Sequence, residues 1–284
     1  MMLPMPFPAL PTVTSASNPR VKAAAALRDR RARDRAGLTL IDGARELRRA
    51  LEAGVTVVEA FVCEPLLAGL DARAAFDRLR AGGTPLQPVS EAVFAKLAFG
   101  QRAEGLLAVV RIPTTALDHL ALPEHPLVVV IEAVEKPGNL GAILRSADGA
   151  GADAVIAASP RTDLFNPNAI RASAGTIFSH PLAAGTTDEV AAVLAGRELR
   201  IVTARVDADR AYTDVDLTGG LALVLGAEAE GLSDTWRGPG IQAVRIPMLG
   251  VADSLNVSVS AAILLYEARR QRDRSSAMTN HPAR

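Results

Sequence analysis

Between Leu221 and Arg270 the chain twice repeats one local pattern: an apolar run that stops at a glycine or proline and opens into a polar loop. The first is Leu223-Val-Leu-Gly-Ala-Glu-Ala-Glu-Gly-Leu232. The second is Ile246-Pro-Met-Leu-Gly-Val-Ala-Asp-Ser-Leu-Asn-Val-Ser258, which runs on into an apolar helical stretch ending at Arg270. A third stretch, Glu135-Lys-Pro-Gly-Asn-Leu-Gly-Ala-Ile-Leu-Arg-Ser146, follows the apolar run Leu127–Ile131 and has the same strand, loop and helix order. Strands this uniformly apolar must be covered on both faces, which restricts the chain to an α/β domain with a parallel sheet. Loops leaving the carboxyl ends of such strands are where ligands bind. The three loops are therefore expected to form one site.

Around that core the chain reads as two domains. Residues 1–14 are a proline-broken apolar lead-in without a basic leader, expected to be disordered and not a signal peptide. Residues 15–112 alternate helical and strand patterns: a helix over Arg20–Arg35, a strand at Leu38–Ile41, a helix from Gly43 and a strand at Val55–Val62. A helix over Leu66–Arg80 follows, then one opened by Ser90 as N-cap, and a closing buried strand at Gly105–Ile112. Residues 113–126 hold three prolines and no periodicity, so a linker is expected there. Residues 127–274 form the second domain, and 275–284 a disordered tail.

Several classes are disfavoured. Cys63 is alone, so neither a disulfide framework nor a thiolate metal cluster is expected. The four histidines, His119, His125, His180 and His281, lack ligand-like spacing, so no metal site is expected. No run is long enough for a membrane helix, and a cytoplasmic location is the default expectation. Gly149-Ala-Gly151 resembles part of a dinucleotide fingerprint but lies at a helix end and lacks the third glycine. The neutral chain carries its charge unevenly: residues 20–49 hold ten basic against four acidic side chains. Such a segment suits a polyanion, with Arg28, Arg30, Arg31, Arg33 and Arg35 as the candidate contacts, or it is a solvated helix face.

Within the loops, Asn139 reads either as a helix N-cap or as a ligand-binding amide. Arg145 lies among Ile143, Leu144 and Ala147, where a buried guanidinium would need an anion: an ion pair to Glu228 or Asp148, or a substrate group. Glu228 sits just past a strand end. Of Ser254, Asn256 and Ser258 one must cap the final helix, and the others are available to a ligand.

Asn139-x-Gly-Ala-Ile-x-Arg145, Gly226-x-Glu228-x-x-Gly-Leu232 and Ile246-Pro-Met through Ser254-Leu-Asn-Val-Ser258 resemble the three signature motifs of SpoU/TrmH-type RNA methyltransferases of the SPOUT superfamily. Arg171-Ala-Ser173 and Phe178-Ser179 point to the ribosomal-RNA members, and the N-terminal part resembles the small ribosomal-protein-like α/β domain that often precedes this fold. The resemblance implies a parallel-sheet domain with a deep trefoil knot, a homodimer, and S-adenosylmethionine as methyl donor. It implies cofactor contacts at Gly226, Ile246 and Leu255 and a catalytic set of Asn139, Arg145, Glu228, Ser254 and Asn256. The expected reaction is methylation of a ribose 2′-hydroxyl in RNA, with ribosomal RNA as the expected substrate. The alternatives are a transfer-RNA methyltransferase and a catalytically silent RNA-binding or ribosome-assembly protein.

Overall fold

The structure, a computed structural model, describes residues 10–99, 104–227 and 230–279. Most of the expected lead-in, residues 1–9, and the end of the expected tail, residues 280–284, lie outside the described residues. The first elements in chain order are α1 (Pro19–Ala26), α2 (Arg30–Ala36), β1 (Leu38–Asp42), α3 (Ala44–Glu52), β2 (Val57–Val62), α4 (Leu70–Ala81), β3 (Leu86–Pro88), α5 (Glu91–Leu97) and β4 (Leu106–Arg111). Then come β5 (Leu127–Glu132), α6 (Pro137–Ala150), β6 (Ala154–Ala158), α7 (Pro167–Ala172), α8 (Thr176–Ser179), β7 (Leu182–Gly185), α9 (Thr187–Gly196), β8 (Arg200–Ala204), β9 (Leu221–Leu225), β10 (Ile241–Val244) and α10 (Val257–Thr279). The chain divides into two compact units, one from the described part of Met1–Pro113 with Phe165–Ser179, the other from Thr114–Leu164 with the described part of His180–Arg284.

The first unit is built on a four-stranded sheet in the order β1-β4-β2-β3, with β4 antiparallel to both neighbours and β3 parallel to β2. Phe61, Leu40, Leu107 and Phe94 are buried in its core. The helix expected over Arg20–Arg35 is broken in two. Asp29 accepts from the backbone N–H of Arg31 and Ala32, capping α2 and ending the first helix early. The carbonyls orphaned at that break are taken by Arg33, which is 1% exposed and donates Nη1 to Leu27 O and Arg28 O. Arg28 in turn donates Nη2 to the carbonyls of Lys96, Leu97 and Ala98 at the end of α5. Both arginines serve helix ends; Arg33, being buried, is withdrawn from any phosphate, whereas Arg28 remains exposed.

Residues 165–179 lie inside the stretch read as one C-terminal domain, yet they pack on the first unit. Thr39 Oγ1 donates to Phe165 O at 2.7 Å, Arg49 Nη1 to Ala174 O at 2.9 Å, and Arg171 Nη1 to Asp42 O at 3.0 Å. Buried Phe165, Ala169, Ile170 and Ile177 supply the apolar contact that drives this docking.

The second unit holds six parallel strands in the order β10-β8-β9-β5-β6-β7. Every residue of β5, β6 and β9 is buried, as expected of strands covered on both faces. Helix α10 packs along α6 and touches β9, while α9 lies against β6 and β7. Residues 113–126 do more than link: Thr115 O accepts from Ala184 N at 2.7 Å, and Leu120 is buried in the core. Strand β7, the short run Leu-Ala-Ala-Gly at the sheet edge, pairs in parallel with β6. Helix α10 runs on to Thr279, into the stretch expected to be a tail. No described helix is long and apolar enough to cross a membrane.

Candidate functional site

Strands β8, β9 and β10 are neighbours in the sheet, and a cavity of about 510 Å³ opens at their carboxyl ends. Gly226 follows β9, Ile246 follows β10, and Ser254 and Leu255 precede α10; all four line it. The loops read from the sequence as the second and third therefore meet. A Cβ built on Gly226 would lie 2.2 Å from Gly231 O and 2.7 Å from Leu232 N. Glycine is required there by the chain's own backbone, because Gly231 N donates to Ala227 O and folds the loop back on itself.

The first loop borders a smaller cavity of about 100 Å³, lined by Glu135, Lys136 and Asn139 and sharing Gly226, Ala227 and Val257 with the larger one. Asn139 is not the N-cap of α6. The helix starts earlier, with Pro137 in its first turn and Lys136 at the cap position, because proline's fixed φ suits that place. Asn139 is thereby released for another contact, and Asn256 Nδ2 donates to its Oδ1 at 3.2 Å. Asn256 caps α10, its Oδ1 accepting from Ser258 N at 2.9 Å and Ser258 Oγ at 2.6 Å. A single asparagine thus fixes the start of α10 and ties it to α6. Ser258 serves the cap, and Ser254 is left exposed on the cavity wall.

Arg145 departs from expectation. It is exposed on α6 and makes no hydrogen bond or ion pair with any described residue, so the anticipated pairing with Asp148 is not formed. Six positions beyond Asn139 it lies on a different side of the helix, away from the core-facing Leu144 and Ala147. Glu228 lies outside the described residues.

Three features were not apparent from the sequence. The buried Glu132 at the end of β5 accepts from Ser233 N at 2.8 Å, Ser233 Oγ at 2.7 Å and Thr187 Oγ1 at 2.9 Å, anchoring the segment that follows the second loop. Its signal is a charge ending the apolar run Leu127–Ile131. Arg161 Nη1 donates to Glu135 Oε1 at 2.8 Å and Glu230 Oε1 at 2.9 Å, so one guanidinium bridges the first and second loops. Arg161 holds the Glu230 carboxyl below its ordinary range by hydrogen bonding and charge. Arg205, directly after β8, pairs with Asp207 through Nε at 3.0 Å and Nη2 at 3.2 Å and lines the large cavity. Its Nη1 is buried with no hydrogen-bond partner. Among the described residues no group of three or more His, Cys, Asp or Glu could hold a metal ion.

In the first unit, the remaining arginines of the basic segment share the exposure of Arg28 and not the burial of Arg33. Arg30, Arg31 and Arg35 are exposed, and Arg30 faces Asp34 at 3.6 Å in a solvated pair.

Residues 126–266 match a family model described as the SpoU rRNA Methylase family, and residues 18–108 match one described as an MRM3-like substrate binding domain. The chain is 33% identical over 257 residues to a 23S rRNA (uridine(2479)-2'-O)-methyltransferase of Streptomyces viridochromogenes, spanning 87% of this chain and 88% of that one. A crystal structure of an RNA 2'-O ribose methyltransferase superposes with a TM-score of 0.81 at 42% identity, covering 92% of this chain and 99% of that one. The SpoU methyltransferase AviRb of Streptomyces viridochromogenes, solved with the cofactor AdoMet, gives 0.81 at 32% identity over 91% of this chain and 100% of that one.

Proposed function

The chain belongs to the SpoU rRNA methylase family, and we infer from that membership and the geometry above that it methylates a ribose 2′-hydroxyl of ribosomal RNA with S-adenosylmethionine. The observation that carries this reading is the cavity walled by Gly226, Ile246 and Leu255 at the ends of three adjacent parallel strands. At about 510 Å³ it falls within the range of small-ligand sites. Its Leu225, Ile246 and Leu255 side suits a flat adenine, and its Arg205, Asp207 and Asp253 side suits a zwitterionic amino-acid end.

When bound, the cofactor supplies a methyl group on positively charged sulfur, already a strong electrophile. What remains for the protein is to align the hydroxyl and to offset the charge that develops on its oxygen. Arg145 suits the second of these roles, because a guanidinium stays charged and so stabilises an alkoxide without deprotonating the hydroxyl. Asn139 and Asn256 hold the two helices that frame the smaller cavity, and Ser254 offers a hydroxyl at the wall of the larger one. Glu228 joins this set on the family motif.

The finer structure belongs to the same reading. Strand β10 is at the sheet edge while α10 packs on α6, so the segment between them crosses the carboxyl ends of β8 and β9. That crossing supports a deep trefoil knot, and the mixed sheet of the first unit supports a ribosomal-protein-like RNA-binding domain. A homodimer is supported by Val259, Ile263 and Tyr266, an i, i+4, i+7 stripe of α10 left exposed or half-buried. Arg145 on the neighbouring helix, which has no partner among the described residues, supports it too. In a dimer the arginine would serve the partner's site. Exposed Arg30, Arg31 and Arg35 would contact phosphates, and a ribosomal substrate would place the protein in the cytoplasm.

The test is incubation of the purified protein with methyl-tritiated S-adenosylmethionine and unmodified ribosomal RNA, followed by nuclease mapping of alkali-resistant dinucleotides. Label in one 2′-O-methylated dinucleotide is expected. Label on a base, or none with ribosomal RNA or assembled subunits, would refute the assignment.

A further inference from the structure

Loops leave the carboxyl ends of β5, β6 and β9, and one arginine connects all three. Arg161 belongs to the segment after β6. Its backbone N–H donates to Val134 O at 3.0 Å, and Thr162 N donates to the same carbonyl at 3.0 Å, so the base of the side chain is tied to the first loop. Its Nη1 donates to Glu135 Oε1 at 2.8 Å, again in the first loop, and to Glu230 Oε1 at 2.9 Å, in the second. Nη2 donates to Glu230 Oε2, which makes the hold on the second loop a two-pronged, charge-assisted one.

Stability does not account for this arrangement. The side chains of Arg161, Glu135 and Glu230 are 45%, 51% and 61% exposed, and ion pairs so well wetted contribute little to folding. Two further observations point to the loops themselves as what is being held. Ala133 and Ser159, the first residues after β5 and β6, lie in the left-handed region at φ +52° and +45°. Residues other than glycine keep such strain only where their surroundings over-determine it, and they cluster at functional sites. The other observation is where the two carboxylates sit. Glu230 and Gly231 line the large cavity, and Glu135 lines the small one beside Asn139. The second loop is fixed at its start by β9 and at its end by Ser233, whose N–H and Oγ bond to buried Glu132. Glu230 lies between those points, beside the turn that Gly231 N closes on Ala227 O.

We propose that Arg161 is a positioning residue for cofactor binding: by holding Glu230 to the first loop, it sets the second loop as a wall of the large cavity. The proposal rests on the S-adenosylmethionine reading of that cavity. With the arginine in place the wall is formed before the ligand arrives. Without it, part of the binding free energy goes to ordering the loop.

Titration calorimetry with S-adenosylhomocysteine on the full chain tests this. Arg161→Gln should weaken binding by about 5-fold, the scale of an exposed charge pair, and leave the melting temperature of the unliganded chain unchanged. In methyl transfer the KM for S-adenosylmethionine should rise by the same factor, with kcat at saturating cofactor unchanged. Because the arginine acts through Glu230, Arg161→Gln combined with Glu230→Gln should bind no more weakly than the worse of the two single variants. Arg161→Lys keeps the charge without the fork and should recover only part of the loss. Wild-type affinity in Arg161→Gln overturns the proposal, whether or not its melting temperature falls. So do losses that add in the double variant, or a lower kcat with KM unmoved. A wild-type chain that does not bind S-adenosylhomocysteine would instead remove the cofactor reading itself.

Discussion

Asn256 and Asn139, 117 residues apart in sequence, are joined by a 3.2 Å hydrogen bond from the Nδ2 of one to the Oδ1 of the other. The same Asn256 caps α10 through its Oδ1, so helix start and inter-helix link depend on one side chain. Asn256→Ala should therefore cost about 1 kcal/mol through the lost cap, whereas Asn139→Ala, which leaves the cap in place, should cost less. Both should slow methyl transfer. Equal melting temperatures for Asn256→Ala and wild type would show that the cap contributes nothing.

Arg145→Ala should fold as stably as wild type, because the side chain is exposed and has no partner among the described residues to lose. Single-turnover methyl transfer should fall by on the order of 10²–10³, with cofactor affinity unchanged, since the charge is wanted only as the oxygen becomes negative. Arg145→Lys should rescue little if the planar fork also holds a phosphate. A variant that transfers methyl at the wild-type rate removes Arg145 from the reaction.

Two glycines of the second loop should respond differently to alanine. At Gly226 a Cβ meets Gly231 O at 2.2 Å, so the loop must move and cofactor binding should be lost with it. At Gly231 the Cβ has open space but φ is +69°, so Gly231→Ala should cost about 1 kcal/mol of backbone strain without a clash. Melting curves with and without S-adenosylmethionine separate the two. If Gly226→Ala kept the full ligand-induced shift, the loop packing described above would be wrong.

Arginines of the basic segment should divide into two groups. Arg33→Ala removes a buried donor to two carbonyls and should lower stability by about 1.5–3 kcal/mol. Charge reversal at Arg31 and Arg35 should leave melting unchanged but weaken RNA binding. The salt dependence should flatten by roughly 0.7 log units per lost phosphate contact. Unaltered RNA affinity would make them a solvated face.

His180 gives the second unit a pH dependence. Burial pushes its imidazole below the ordinary 6.5, outweighing the opposing pull of Asp148 and Asp153. As pH falls through 6.5 the unfolded chain takes up a proton that the folded one refuses. This contribution is therefore full above that pH and declines below it. His180→Phe should flatten the fall in melting temperature between neutral and mildly acid pH. An unchanged slope would assign the acid sensitivity to other groups.

The class of the second unit and the positions of the loops that leave its strands were legible along the chain. Unbroken apolar runs such as Leu127–Ile131 and Leu221–Leu225 admit only strands covered on both faces, and the glycines and prolines after them mark where the backbone must leave the sheet. The three motifs then pointed to a chemistry through their resemblance to those of the SpoU/TrmH-type methyltransferases. Which side chains reach one another was not legible in this way. Arg33 and Arg35 are two residues apart in one basic run, yet the first is sealed beneath the break after α1 and the second faces solvent. Arg145 sits among apolar neighbours in sequence but projects from the outer side of α6, since helical periodicity sends adjacent residues to different faces. Likewise no local pattern marks the bonds of Glu132, which exist only because the fold brings Thr187 and Ser233 to the end of β5. Periodicity and turn chemistry are local and can be read along the chain. Burial and hydrogen-bond partnership arise between segments many residues apart, so they come into being with the fold.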